Sequence, residues 1–363
     1  LWSVAEVESI LGSETDIFLR AYNFGPNGNF AEESTGELSG TNIPHRTREL
    51  SEIAADLHVS SEVLQARLAE LRHKLFVERE KRTHPLKDDK ILTDWNGLMI
   101  AATARAARAL NEPLYANAST QGARFVLGQL RDANGRLLKR FRNGHASLTA
   151  MLDDYAFMAW GLIELFETTG QPDLLREAIA LAQIIIEHFS DAANGGFYLS
   201  PDDGEPLPIR AKESYDGAIP SGNSVAALVM LKLSHLIGDA EFAEQADRIF
   251  SSFAGEVAPR PSNHTFLMMA LDFKVGPVSE IVLAGDRNAA KVQEMLQRIN
   301  SRFLPNSVLV IREEATAEEL ARIVPGSKQQ SPVGDATVFI CQNFACQHPI
   351  TEMPDLERQL PSL

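Results

Sequence analysis

A chain of 363 residues with 44% hydrophobic and 23% charged side chains is long enough to bury about three quarters of its unfolded surface, which excludes a disordered, collagen-like or disulfide-stapled small protein. Its formal charge of −15 makes the average surface repel phosphate backbones and excludes nucleic acid as a partner. No apolar run approaches the roughly 20 residues that a bilayer span requires, so no membrane is expected, and two cysteines in the whole chain fit a reducing, cytoplasmic setting.

The chain opens on Leu1 rather than Met and reads as a piece of a longer protein. Periodicity predicts a short helix over residues 3–11 and a longer polar one over 47–82, whose charge run from Glu78 to Arg82 reads as a solvated face. Four later segments, 95–110, 154–168, 224–237 and the shorter 265–273, are apolar nearly all the way round and are predicted to be buried on every side. Between them lie amphipathic helices. In 241–254 the residues Phe242, Ala246, Ile249, Phe250 and Phe253 share one face, and in 173–189 a polar stripe of Arg176, Gln183 and Glu187 opposes Leu174, Ile179 and Ile186.

Alternating buried and amphipathic helices are what two concentric layers demand, because the inner layer is covered and the outer one faces water. Repetition supports a helical-hairpin unit. An outer helix ending near Leu130 runs into Asp132-Ala-Asn-Gly, and one ending near Phe189 runs into Asp191-Ala-Ala-Asn-Gly, with Gly25-Pro-Asn-Gly a fainter copy. Each Asn-Gly supplies the positive-φ corner of a tight turn. The expected fold class is therefore mainly α, a partial (α/α)6 toroid of helical hairpins over 1–275; about three and a half hairpins are visible, so either the array is open or others lie upstream. After Gly276-Pro277, strand-like runs at 280–283, 308–311 and 337–341 alternate with helices at 287–303 and 316–323, which predicts a small parallel βαβαβ subdomain over 276–363. Gly285-Asp286-Arg287 opens a helix after a strand, yet no Gly-x-Gly-x-x-Gly accompanies it, and no cofactor is expected.

In a ring of hairpins the concave surface is the central funnel, so functional residues should stand at the starts of the inner helices. Asp88-Asp89-Lys90 and Asp94-Trp95-Asn96-Gly97 lead into the first, Asp153-Asp154-Tyr155 into the second, and Asp216 through Ser221-Gly222-Asn223-Ser224 into the third. N-capping accounts for one such residue per helix. Carboxylates and amides grouped with an indole or a phenol are also what sugar recognition uses: hydroxyls take bidentate polar partners and the pyranose face takes a flat apolar platform. Asp154 and Asp216 are the preferred catalytic carboxylates for acid and base work. Asp89, Trp95, Asn96, Tyr155, Ser221 and Asn223 are the candidate substrate-binding residues, and His84, His145 and His264 the candidate bases. Cys341, Cys346 and His348 lack the fourth ligand a zinc site needs, so the thiols read as free and no metal is expected.

Taken in order, Asn42-Ile-Pro-His45, Asp88-Asp-Lys-Ile-Leu-Thr-Asp-Trp-Asn-Gly-Leu-Met-Ile100, Leu152-Asp-Asp-Tyr-Ala-Phe157, Pro220-Ser-Gly-Asn-Ser224 and Cys341-Gln-Asn-Phe-Ala-Cys346 resemble the thioredoxin-domain-containing proteins of the spermatogenesis-associated protein 20 family. The resemblance runs along essentially the whole chain. It implies a six-hairpin toroid similar to N-acylglucosamine 2-epimerases and six-hairpin glycosidases, preceded by a thioredoxin-like domain that this chain lacks and that would be its partner. Asp94 stands where the family usually carries Ser and Asp153 where Glu is common, which ranks both below Asp89, Trp95, Asn96, Asp154, Tyr155, Ser221 and Asn223. Together these readings point to a carbohydrate-active protein of sugar epimerase, isomerase or glycosidase type. The alternative is a non-catalytic binding or scaffold module working with the thioredoxin-like domain.

Overall fold

The computed structural model describes residues 1–342 and 345–361, and its backbone falls into two compact units, Leu1–Asp88 and Asp89–Leu363. In the first unit α1 (Val4–Leu11), α2 (Thr15–Ala21), α3 (Leu50–Asp56) and α4 (Ser61–Arg79) close around Val7, Phe18, Ile53, Leu64 and Leu68. Ser3 and Glu6 cap α1 reciprocally, each side chain bonding the other's backbone N–H. The single polar helix expected over 47–82 is two helices. His58 turns into the left-handed region (φ 51°) after α3, and the Ser60 hydroxyl accepts from Val63 N to start α4. The charge run pairs Lys81 with Glu78 at 2.6 Å, while Arg82 leaves the solvated face to lie 3.9 Å over the Trp2 ring.

The second unit begins with β1 (Ile91–Leu92), α5 (Thr93–Leu110), α6 (Pro113–Gln129), β2 (Leu138–Arg142) and β3 (His145–Thr149), the strands forming an antiparallel sheet. Then come α7 (Leu152–Thr169), α8 (Pro172–Phe189), α9 (Gly222–Ile237), α10 (Ala240–Val257) and α11 (Thr265–Val275). Helices α5, α7, α9 and α11 pack side by side as an inner layer, and α6, α8 and α10 each cover the inner helix before them. This is the double layer of an incomplete (α/α) toroid. The two Asn-Gly turns repeat in detail: the Asp132 carboxylate accepts from Asn134 N and Arg136 N, the Asp191 carboxylate from Ala193 N and Asn194 N, and Gly135 and Gly195 hold positive φ.

The inner helices do not all meet the expectation of burial on every side. α7 and α9 are buried almost throughout, whereas α5 exposes Trp95 and Met99 and α11 exposes Met269. The cause is position in the row: α7 has α5 and α9 as flanking inner neighbours, whereas α5 and α11 stand at the two ends of the row, each with an inner helix on one flank, α7 beside α5 and α9 beside α11. Where α5 crosses α7 the contact is backbone to backbone, because Gly97 lies against Phe157 and Met158 and Gly161 lies against the Gly97 carbonyl.

The remaining elements are β4 (Ser279–Gly285), α12 (Ala290–Asn300), β5 (Ser307–Arg312), α13 (Ala317–Ile323), β6 (Ala336–Gln342), β7 (Ala345–Cys346) and α14 (Met353–Gln359), with strand order β5-β4-β6-β7. The strands stand where the sequence placed them, but the sheet is mixed rather than parallel. β4 and β5 are parallel, while β6 runs against β4. Both Arg312, which ends β5, and Ala336, which begins β6, sit beside the C-terminal end of β4. The chain between them therefore leaves and re-enters the sheet at the same end, which forces the reversal. A second correction concerns the cysteines. β6 and β7 pair with Cys341 opposite Cys346, and the sulfurs form a disulfide rather than two free thiols; Asn343 and Phe344 of that motif lie outside the described residues. Arg287, which the sequence places at a helix opening after a strand, precedes α12 and donates to the Thr168 and Thr169 carbonyls at the end of α7. Among the described residues no helix is long and apolar enough to cross a membrane.

Candidate functional site

The starts of the inner helices stand together at one end of the layer, tied to one another by side chains that hold a neighbour's backbone. At the start of α7 the buried Asp154 carboxylate accepts from Met151 N at 2.8 Å and from Asp94 N, in the first turn of α5, at 3.0 Å. Lys139 on β2 bridges the two acids, 2.6 Å from Asp94 and 3.2 Å from Asp154. Asp94 in turn accepts from Trp95 N, and the Asn96 amide donates to the Leu92 carbonyl, so these residues fix the entry into α5. Trp95 itself is 61% exposed, an indole held at the rim by a rigid backbone.

Asp216 plays the corresponding part between α9 and α11. One carboxylate oxygen accepts from Ser221 N and the other from Phe266 N and Leu267 N. Ser221 is the N-cap of α9, accepting from Ser224 N. Asn223 is fully engaged: its side-chain oxygen accepts from Phe197 N and its amide donates to the carbonyls of Phe197 and Glu213. The buried Tyr155 hydroxyl accepts from Leu137 N and Arg136 Nε, which fastens the Asn-Gly turn beneath α7. Asp89 is exposed and pairs with Arg142 at 2.6 Å. The structure thus gathers Asp94 and Asp154 around Lys139, with Trp95 and Asn96 following Asp94 along α5, and gathers Asp216 with Ser221, but gives Asp154 and Asp216 different neighbours. Of the candidate bases, His84 belongs to the first unit and bonds the Glu80 carbonyl, His145 lies exposed on β3, and the buried His264, just before the α11 start that Asp216 holds, is engaged with Ser214.

Asp153 differs from its neighbours. Its Oδ1 is buried without a hydrogen-bond partner, and Gly222 at the start of α9 makes room for it: a Cβ there would stand 2.3 Å from that oxygen. Burial pushes its pKa up to about 6, with Lys139 and the Gly222 backbone N–H beside the carboxyl pulling down and the carboxylates of Asp94 and Glu213 pushing further up. Burial likewise raises Asp154 to about 7 against the pull of Lys139 and the Met151 N–H. Burial opposes the charge on Lys139, but Asp154 and Asp94 hold its proton and leave its pKa raised. Protonated carboxyls near neutrality are proton donors.

These shifts carry a pH dependence. A carboxyl with its folded pKa above its unfolded one contributes stability that is present below about pH 4 and lost as pH rises through the folded value. The protein is expected to weaken between about pH 4 and 7, and Asp153→Asn to remove the part of that slope lying between about 4 and 6. The variant should gain about 3 kcal/mol above pH 7 in urea titrations run across pH; an unchanged slope would show that Asp153 stays ionised in the fold.

Sequence reasoning missed Lys139, which lies in an unremarkable Lys-Arg-Phe-Arg strand, and a second set of charges deeper in the inner layer. Glu164 and Glu167 on α7, Arg108 on α5 and Lys232 on α9 form a buried ionic network beside a cavity of about 620 Å³. None of the residues selected from the sequence lines that cavity. Its signal was available, since Glu164, Glu167 and Lys232 are charges inside otherwise apolar helices. Among the described residues, His188, Asp202 and Asp203 bring ligand atoms within 4.8 Å of one another, but Arg136 already pairs with Asp203.

No protein-family model matches the chain. It is similar to spermatogenesis-associated protein 20 of Rattus norvegicus, 30% identical over 383 residues covering 99% of this chain and 48% of the relative, and to that of Homo sapiens, 29% identical over 99% of this chain and 49% of the relative. The chain spans about half the length of these curated relatives. Among solved structures, a cellobiose 2-epimerase from Bacillus thermoamylovorans aligns with 48% of this chain and 47% of its own at 16% identity and a TM-score of 0.41. A GH76 α-mannanase from Bacteroides thetaiotaomicron aligns with 65% of this chain and 68% of its own at 15% identity and a TM-score of 0.40.

Proposed function

From the premise that the chain matches the spermatogenesis-associated protein 20 family over 99% of its length, we propose that it is a carbohydrate-active protein of glycosidase or epimerase type, with its site at the starts of α5, α7 and α9. The observation that carries this reading is Asp153, a carboxyl with a buried unpartnered oxygen and a pKa near 6. In this reading Asp153 is the general acid, delivering its proton to a sugar oxygen. Glu213, close enough to raise the pKa of Asp153, supplies the second carboxylate. The exposed Trp95 ring is the platform for a pyranose face. Asp154 and Asp216, whose oxygens are taken up by backbone N–H groups, position the helix starts rather than meet the substrate.

Those satisfied pairs also favour a second reading, a non-catalytic module that presents a client to a thioredoxin-like domain. The two separate in one experiment: thermal unfolding of the protein against a panel of mono- and disaccharides, with turnover followed by sugar analysis. A bound sugar at a hundred times its dissociation constant adds about 2.7 kcal/mol of stability. We expect at least one sugar to raise the melting temperature, Trp95→Ala to abolish the rise, and Asp153→Asn to keep the rise while stopping turnover. No response to any sugar would favour the second reading, and a response unchanged by Trp95→Ala would remove the platform from the site.

A further inference from the structure

The cavity of about 620 Å³ among the inner helices falls in the size range of small-molecule sites and is separate from the residues proposed to handle sugar. Its two walls differ in kind. On the helical side Glu164 and Glu167 stand one turn apart on α7, and Arg105 and Arg108 are likewise one turn apart on α5, with Lys232 facing them from α9. On the other side Ile281, Ile299, Leu304 and Leu309 present an apolar surface, with Phe303 at the edge.

The pairing within the network is unequal. Both glutamates are fully engaged: Lys232 reaches Glu164 at 3.1 Å and Glu167 at 2.9 Å, Arg108 bonds both, and the Trp160 indole donates to Glu164. Arg105 approaches only Glu164, at 4.0 Å, with 43% of its side chain exposed. Three cations facing two carboxylates leave one positive charge in excess, and that charge belongs to Arg105. Arg302 and Asp272, which also line the cavity, cancel in the count. A hollow with a surplus cation inside a chain of net charge −15 is a local reversal of sign, and a half-exposed guanidinium at its mouth, only loosely paired with Glu164, attracts a counter-ion.

We propose that this hollow binds a monoanionic amphiphile, a carboxylate carrying an apolar body, with the carboxylate on Arg105 and the body against Ile281, Leu304 and Leu309. One surplus charge suits a carboxylate better than a dianionic phosphate, which would leave a negative charge in excess. Guanidinium geometry also favours it, since an arginine takes a carboxylate on two parallel N–H bonds.

The test is calorimetric titration of the whole chain with octanoate, octanamide, octylamine and octyl phosphate, repeated on Arg105→Gln and Phe303→Ala. Both substituted side chains are partly exposed, so the fold should survive, and melting curves will show that it does. Octanoate is expected to bind at least tenfold more tightly than octanamide and octyl phosphate, with octylamine not binding. Arg105→Gln should bring octanoate down to the octanamide level without changing octanamide, and Phe303→Ala should weaken both. The proposal is overturned if octanoate fails to bind, if octanamide or octyl phosphate matches it, or if Arg105→Gln leaves its affinity unchanged.

Discussion

Replacing Glu164 with alanine is expected to destabilise the protein by about 3–5 kcal/mol, because it strands Lys232 and Arg108 in a buried setting with one glutamate between them. The loss reports the uncompensated charge rather than the net worth of the network. Removing Lys232 as well should therefore recover much of it: Glu164→Ala combined with Lys232→Leu leaves Glu167 paired with Arg108, and the double variant should be more stable than Glu164→Ala alone. Urea unfolding of the single and double variants measures the coupling directly. If the double variant loses the sum of the two singles, the groups are not interacting. Acid offers a parallel measurement. Burial alone would raise Glu164, but Lys232 and Arg108 hold its pKa down at about 2. Its contribution is thus present above the unfolded value and is lost as pH falls from about 4.5 toward 2.

Gly97→Ala should cost about 3 kcal/mol, against a helix-propensity gain of about 1 kcal/mol that the same change brings at an open position. The added Cβ would stand 2.5 Å from the Phe157 carbonyl carbon and 2.6 Å from Met158 N. Backbone atoms cannot swing aside, so α5 and α7 must part, and the hydrogen bond from Asp94 N to Asp154 opens with them. Gly128 on α6 is the internal control, since nothing lies within 4 Å of its Cβ position, and Gly128→Ala should stabilise by about 1 kcal/mol. Urea melts of the two variants should move in opposite directions. A shift of the same sign in both would mean that the helices have room to spare at Gly97.

The hairpins and helix starts were legible in the sequence because their signals are local. An apolar run such as 224–237 reads as an inner helix, and Ser221 just ahead of it reads as the cap that it is. The features that escaped depend on partners far along the chain. Asp216 looks like a cap for its own helix, yet it serves Phe266 and Leu267, some fifty residues on. The reversal of β6 follows from which end of β4 the chain returns to, which no residue in 324–335 encodes by itself. The disulfide depends on Cys341 and Cys346 falling opposite each other across two strands, and composition argued the other way. Asp153 ranked low by resemblance; its distinguishing feature, an oxygen left without a partner against Gly222, exists only after α7 and α9 have packed.

The backbone ties at the helix starts make α7 a template for α5 and α9 a template for α11. Asp154 holds the amide of α5 while Asp216 holds those of α11, so α5 is not finished until α7 has docked, nor α11 until α9 has. Assembly along the row should then spread as a zipper does, with the end hairpins fraying first, and a single substitution at such a tie would loosen two helices where an ordinary cap loosens one.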